Sequence, residues 1–288
     1  MKQKILFIVI LLFSQQVFSQ NSILWEITGN GLTTPSHVMG TLKFIGQKEF
    51  FLPQEVVSAL KSSKIFAIED QIDHKAQLEL NKAVHFPKGK SLLTELPAID
   101  YERIQKFFEK EFKISKATFE KEYAQMIPLA LSINMTRMSL NEGVKFYDLE
   151  LLKIAKKNKL KTYSLETIER EAQAIQAFPM RDQEIALLHS INNFEKQKTE
   201  YKLLEEAYIR GDLDKVFEYS LHPTENNPVF IEEYYTRRNL EWLPKIESMM
   251  RENPSFITLG VSHLEGDKGI LNLLKEKGYT LKPVKVTR

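Results

Sequence analysis

The chain has 288 residues, with 40 Lys+Arg against 38 Asp+Glu and no cysteine. Without cysteine there are no disulfides, no thiolate metal ligands and no acylated N-terminal thiol, so a metal site would need His, Asp, Glu or water. Near-neutral charge argues against a nucleic-acid binder or a general membrane-surface binder.

The opening stretch, MKQKILFIVILLFSQQVFSQ, has the form of a secretory signal. Lys2 and Lys4 precede an unbroken apolar run over residues 5–13, and Val17 and Ser19 are the small residues that signal peptidase favours before Gln20. The run is well short of the ~20 residues needed to cross a bilayer. Cleavage would remove two lysines and no acid, leaving a nearly neutral chain exported to the periplasm or secreted. No later segment is hydrophobic enough to span a membrane.

SILWEIT, the turn GNG and SHVMGTLKF predict a hairpin joined across Asn30 and Gly31. PQEVVSALKSS predicts a short helix. KIFAIED then predicts a buried strand that delivers Glu69 and Asp70 at its carboxyl end. In DYERIQKFFEKEF an apolar stripe of Ile104, Phe107, Phe108 and Phe112 predicts a helix capped by Asp100, and Pro128 predicts a kink or break further on.

YDLELLKIAKKNK predicts a helix and LKTYSLE a strand ending in Glu166. From 168 to about 250 the texture is helical, with a stop at Gly211, a new start capped by Asp212, and a bend or boundary at Pro244. SFITLGVSHLEG predicts a strand and turn, DKGILNLLKEKG an amphipathic helix, and YTLKPVKV a closing strand. Strands gather at both ends with helices between. The expected fold is therefore α/β (α+β), a single domain over residues 20–288 in which a central mixed sheet joins the termini and helical insertions surround it.

Among residues able to carry chemistry, His263 follows a strand and the Gly260 turn, where ligands of α/β sheets gather. Glu69, at a strand end, suits a metal ligand or general base, although strands also end in charged residues because they emerge into water. Arg238 has Tyr235 and Trp242 as helical neighbours, so it lies beside an apolar stripe, either covering aromatics or meeting an anion. Asp148 is most simply a helix N-cap, and Glu166 repeats the context of Glu69. Signals for a P-loop, G-x-G-x-x-G, G-x-S-x-G and H-E-x-x-H are absent.

Together, LWEITGNGLTTPSHVMGTLKF, FAIED, YDLELLKIAKKNKLKTYSLET, YIRGDLD, RRNLEW and GVSHLEGDKGILNLLKEKGY resemble, in order and spacing, the TraB/GumN family, whose animal relatives include the Tiki proteins. The resemblance implies a fold like that of the erythromycin-esterase and ChaN-type proteins. It also implies one cleft in which two G-x-x-H turns meet a strand-end glutamate and a helical arginine, supporting metal-dependent peptide cleavage in the Tiki branch. Carried over, the catalytic set is Glu69, His263, Arg238 and Lys43. Arg238, Asn239, Asp148 and Glu166 would contact substrate, and His263 and Glu69 would hold a divalent ion (Mn, Co or Zn).

Lys43 departs from the family pattern, standing where the first turn has histidine. A protonated lysine offers donors and no lone pair, so the implied site loses a ligand. His37 does not replace it, since six residues of strand span about 20 Å at ~3.3 Å per residue. Three expectations follow. The chain is a hydrolase of peptidase type with a weakened metal site, or Lys43 pairs with Glu69 where the metal would sit, or a non-catalytic envelope protein uses the cleft for a peptide or small ligand with Arg238 as its anion anchor.

Overall fold

The computed structural model describes residues 22–70, 74–140, 143–220 and 227–288; the expected signal segment lies outside them. Among the described residues eight strands form: Leu24–Gly29 (β1), Ser36–Thr41 (β2), Ile45–Gly46 (β3), Ile65–Ile68 (β4), Val144–Lys145 (β5), Lys161–Ser164 (β6), Ser255–Gly260 (β7) and Tyr279–Val284 (β8). Six make the main sheet in the order β6-β4-β7-β2-β1-β8, while β3 and β5 pair separately.

The expected hairpin is present. β1 and β2 are antiparallel with Leu24 opposite Met39, and Gly29, Asn30 and Gly31 all take positive φ in the turn. The ends of the chain meet as expected: β8 lies antiparallel to β1, and β7 parallel to β2. β4 and β6, from the interior of the sequence, complete a parallel block β6-β4-β7-β2. The central strands read as apolar runs because helices cover both faces, leaving Val38, Phe66, Ile257 and Leu259 with no solvent exposure. Two further apolar clusters, one around Phe108 and Phe119 and one around Phe178 and Phe230, lie among the helices inserted between β4 and β7.

Three local expectations are corrected, and a fourth, the break at Pro128, is met. Asp100 does not cap its helix; Ala98–Phe112 begins after Pro97, whose fixed φ suits a helix start, and Asp100 sits in the first turn. Pro128 marks the expected break, as the first residue of Pro128–Ser139, where its missing N–H costs nothing. Pro244 lies within the unbroken helix Arg237–Glu252, on its solvent face, where water can satisfy the carbonyl left without a helical partner. Asp148 is the second residue of Tyr147–Lys157 rather than its cap, and its carboxyl meets Thr41 instead. Gly211 does end Phe194–Arg210 in the left-handed conformation, and Asp212 accepts from the Lys215 N–H to start the next helix. Among the described residues no helix is long and apolar enough to cross a membrane.

Candidate functional site

The four parallel strands deliver their next residues to one end of the sheet. Glu166 follows β6, Glu69 follows β4, the Gly260–His263 turn closes β7, and Thr41 with Lys43 closes β2. GTLK and GVSH are thus side by side, with Thr41 opposite Gly260 in the parallel register. Close approach rather than unusual φ favours glycine at both positions, and demands it at Gly40. A Cβ on Gly40 would lie 2.7 Å from Leu264 Cδ1 and 3.0 Å from Val261 Cα, and one on Gly260 would lie 3.3 Å from Glu69 Oε2. His37 sits near the opposite end of the sheet, opposite Glu26 on β1.

Arg238 organises the cluster. Its side chain has no solvent exposure, and Nη2 stands 2.5 Å from both Glu69 Oε1 and Glu166 Oε1. Nε also donates to Glu166, and Nη1 donates to the Tyr234 carbonyl at 3.2 Å. The guanidinium packs against Tyr234 and Trp242, one helical turn away on either side, at 4.5 and 4.7 Å from the ring centres. Ile231–Thr236, just upstream, is wound as a π turn, a local widening that recurs at functional sites. The Trp242 indole N–H donates to Glu166 Oε2, and the Gly260 N–H to Glu69 Oε2 at 2.8 Å.

His263 is equally fixed. Asn239 Nδ2 donates to the His263 and Lys268 carbonyls, which turns its Oδ1 toward the ring; His263 Nδ1, 2.7 Å away, therefore carries the proton. Nε2 is left as an acceptor facing Arg238 Nη1 at 3.3 Å and Glu69 Oε1 at 3.9 Å. Burial, aided by the nearby Arg238 charge, pushes the imidazole down to about 3, so it is neutral at ordinary pH. Burial works against the Glu69 charge too, but Arg238 and the Gly260 N–H outweigh it and bring the carboxyl down to about 2.

Lys43, Glu69, Asp70, Asp148 and His263 line one cavity of about 440 Å³, whose remaining wall includes Tyr234, Tyr235 and Val261. Arg238, Asn239 and Glu166 do not reach it and brace the wall from behind. Inside the cavity the carboxyls differ. Burial and the Glu69 charge raise Asp148 to about 7, although the Thr41 hydroxyl donates to it at 3.1 Å. Burial, reinforced by Glu171, also raises Asp70 well above the carboxylate range.

Lys43 does not pair with Glu69. Its ammonium meets Glu171 at 3.3 Å, keeps 55% of its side chain exposed, and is held charged above all by that glutamate. Glu69 already has Arg238. Nor is Arg238 placed to anchor a ligand anion, since two carboxylates of the chain occupy its fork. The segment bearing Lys43 is clamped by one helix: along Phe194–Arg210, Tyr201 donates to the Phe44 carbonyl, Glu205 accepts from the Gly46 N–H, and Tyr208 donates to the Gly40 carbonyl.

As arranged here, the donors that a divalent ion would use are already engaged by a cation of the chain. Carboxylate oxygens of Glu69, Asp70 and Glu166 come within 4.8 Å of one another, but the Arg238 guanidinium stands among them. It also takes the face of His263 Nε2, while Lys43 adds a second cation at the cavity.

Sequence reasoning missed Glu171, Tyr234 and the three clamping side chains. Glu171 had a signal, since it falls three residues after Ile168 and three before Ala174, on the buried stripe of Ile168–Gln176. Trp242 follows Arg238 by one helical turn, and the carboxylate it binds, Glu166, comes from the distant residues after β6.

A mixed sheet wrapped by helices, with titratable side chains gathered at the carboxyl ends of adjacent parallel strands, is an α/β architecture. The TraB/PrgY/gumN family model matches residues 23–283, and the chain belongs to that family. Neither the curated proteins nor the solved structures give a significant match.

Proposed function

We propose that this TraB-family protein is an exported hydrolase of peptide-like acyl bonds that works by carboxyl acid–base chemistry without a bound metal. The observation that carries the reading is the placing of two carboxyls in one cavity with different partners: Glu69 is held as the anion by Arg238 and the Gly260 N–H, whereas Asp148 meets the neutral Thr41 hydroxyl and burial raises it to about 7. Environments that push neighbouring carboxyls apart separate a charged group from a proton-transferring one.

In this reading Asp148, as carboxylate, takes a proton from water as the water oxygen adds to the acyl carbon. The same carboxyl then returns that proton to the leaving nitrogen or oxygen as the acyl bond breaks. Lys43, whose ammonium lines the cavity, supplies positive charge to the carbonyl oxygen as it becomes an oxyanion. Glu69 and His263 are too weakly basic to take the proton and instead shape the wall, held by Arg238 and Asn239. Export rests on the signal-like residues 1–19.

The test is turnover of a peptide and ester library by wild type and Asp148→Asn, with and without chelator. Turnover that survives chelation and is lost in Asp148→Asn supports the reading. Turnover abolished by chelation and restored by Mn²⁺, Co²⁺ or Zn²⁺ overturns it. A second reading, a non-catalytic envelope protein that binds peptides or small ligands, is favoured by the full engagement of Glu69, Glu166 and His263 with Arg238. It predicts ligand binding in this cavity without turnover.

A further inference from the structure

A second cavity, of about 370 Å³, opens among the helices Pro128–Ser139, Met180–Asn192, Phe194–Arg210 and Leu213–Ser220. It shares two wall residues with the cavity described above, Lys43 and Ser220. Each cavity is of a size that encloses a small-molecule ligand. Two such spaces meeting at one lysine suit a ligand longer than either.

We propose that the second cavity is a binding subsite for an extended, uncharged peptide segment that continues from the first cavity past Lys43. The inference rests on the hydrolase reading for what happens in the first cavity, and on the second cavity's own lining for the class of ligand.

Charge narrows that class first. The two carboxylates of the lining are each engaged with a lysine of their own helix: Glu200 with Lys196 at 3.4 Å, and Glu218 with Lys215 at 2.6 Å. Lys43 is likewise engaged with Glu171. Nothing in the wall calls for a charged ligand, and the carboxylates repel polyanions. The remaining lining mixes apolar Phe44 and Ile133 with the hydroxyls of Ser132 and Thr136 and the Gln197 amide. An all-hydrocarbon chain would strip water from those polar groups without replacing its hydrogen bonds. A peptide offers apolar side chains and backbone donors and acceptors together.

Ser132 adds an independent pointer. Its Oγ is buried without a hydrogen-bond partner, whereas the hydroxyls of Thr136, Ser190 and Tyr201 in the same wall are each bonded within the protein. A buried hydroxyl left open is costly, and rotation of the Ser132 side chain about its Cα–Cβ bond toward the cavity would let a ligand carbonyl accept from it.

The experiment measures binding of capped, uncharged dipeptides and hexapeptides to the full protein by calorimetry, using wild type, Ser132→Phe and Thr136→Phe. Neither residue belongs to the proposed reaction machinery, and unfolding midpoints check that both variants fold. Wild type should bind hexapeptides on the order of tenfold tighter than dipeptides, the scale of one filled pocket. Both variants should lose that gain while keeping dipeptide affinity.

Equal affinity for both lengths in wild type, or a gain that survives both variants, overturns the subsite. An uncharged oligosaccharide that binds where hexapeptides do not overturns the peptide class. Should both variants fail to fold, a hexapeptide carrying a terminal benzophenone must cross-link wild type within 128–139 or 194–210, and cross-linking only elsewhere overturns the subsite. Length-dependent binding without turnover sinks the hydrolase reading alone. Turnover without length dependence sinks this inference alone.

Discussion

Arg238 Nη2 meets Glu69 Oε1 at 2.5 Å, behind the cavity wall, and the arginine has no solvent exposure at all. A buried pair of this kind is weak evidence of net stabilisation, but breaking it strands a charge. Arg238 also neutralises Glu166, so Arg238→Ala should cost about 3–5 kcal/mol or more in chemical denaturation. Arg238→Lys should recover little, because one ammonium cannot reproduce the fork that serves two carboxylates and a carbonyl. The triple variant Arg238→Met, Glu69→Gln, Glu166→Gln should be more stable than Arg238→Ala. A triple variant no more stable than Arg238→Ala would show that packing, not stranded charge, sets the loss.

Asp148 sets a pH dependence of opposite sign to that of Glu69. Its folded value of about 7 lies above its ordinary 3.8, so folding favours the protonated form. Stability is undiminished below about pH 4, falls as pH rises from there to about 7, and is level beyond. At pH 8 Asp148→Asn should therefore raise stability by on the order of a few kcal/mol while removing turnover. Thermal unfolding at pH 4 and pH 8 checks this, since the gain must vanish at the acidic end.

Glu69 works the other way. Its folded value of about 2 lies below its ordinary 4.5, so its contribution is complete above about pH 5 and is lost as pH falls toward 2. A tenfold change in proton affinity is worth ~1.4 kcal/mol, so the acid limb attributable to Glu69 is a few kcal/mol deep. In Glu69→Gln that limb should flatten between pH 5 and 2. An unchanged acid limb in the variant would assign it to other carboxyls.

The fold was largely legible because its signals are local. The hairpin, the strand-end Glu69 and Glu166, and the Gly211 stop each follow from a few contiguous residues. That terminal strands share a sheet could be read from their places in the sequence, whereas the meeting of GTLK and GVSH came from the family resemblance, and the parallel pairing of β2 with β7 is what makes them neighbours. Partnerships were harder to read. Lys43 pairs with Glu171 and Arg238 with Glu166, over 128 and 72 residues of sequence, and no local pattern selects among 38 acidic residues. Asp148 was misread because a carboxyl at a helix start usually caps, and here the Thr41 hydroxyl on a neighbouring strand claims it. Of the two prolines, Pro128 marks its expected break and Pro244 does not mark a boundary. The residue type marks a break, but its place in the helix decides whether it starts one, as at Pro128, or sits harmlessly on the wet face, as at Pro244.

Gly40 is where strand register and site geometry meet. An added methyl would press on Val261 backbone as well as the Leu264 side chain, so relief requires β2 to move away from the Val261–His263 turn. Gly40→Ala should destabilise by about 1–3 kcal/mol, the usual range for an overpacked core. It should also lower turnover or ligand affinity more than Tyr208→Phe, which removes only the hydrogen bond to the Gly40 carbonyl, worth about 1 kcal/mol. Denaturation and binding measured on both variants separate the displaced strand from the lost bond.

Metal binding gives the last discriminating measurement. If the missing first histidine were the sole obstacle, Lys43→His would restore a site for Mn²⁺, Co²⁺ or Zn²⁺. The geometry predicts otherwise, because Arg238 still faces His263 Nε2 and still holds Glu69 Oε1 in the variant. Calorimetric titration should show no stoichiometric binding by wild type or by Lys43→His. In the double variant Lys43→His, Arg238→Ala both obstructing cations are gone, Glu69 and His263 regain free lone pairs, and binding should appear. Tight binding by wild type would overturn the metal-free reading, and binding by Lys43→His alone would show that Arg238 yields its place.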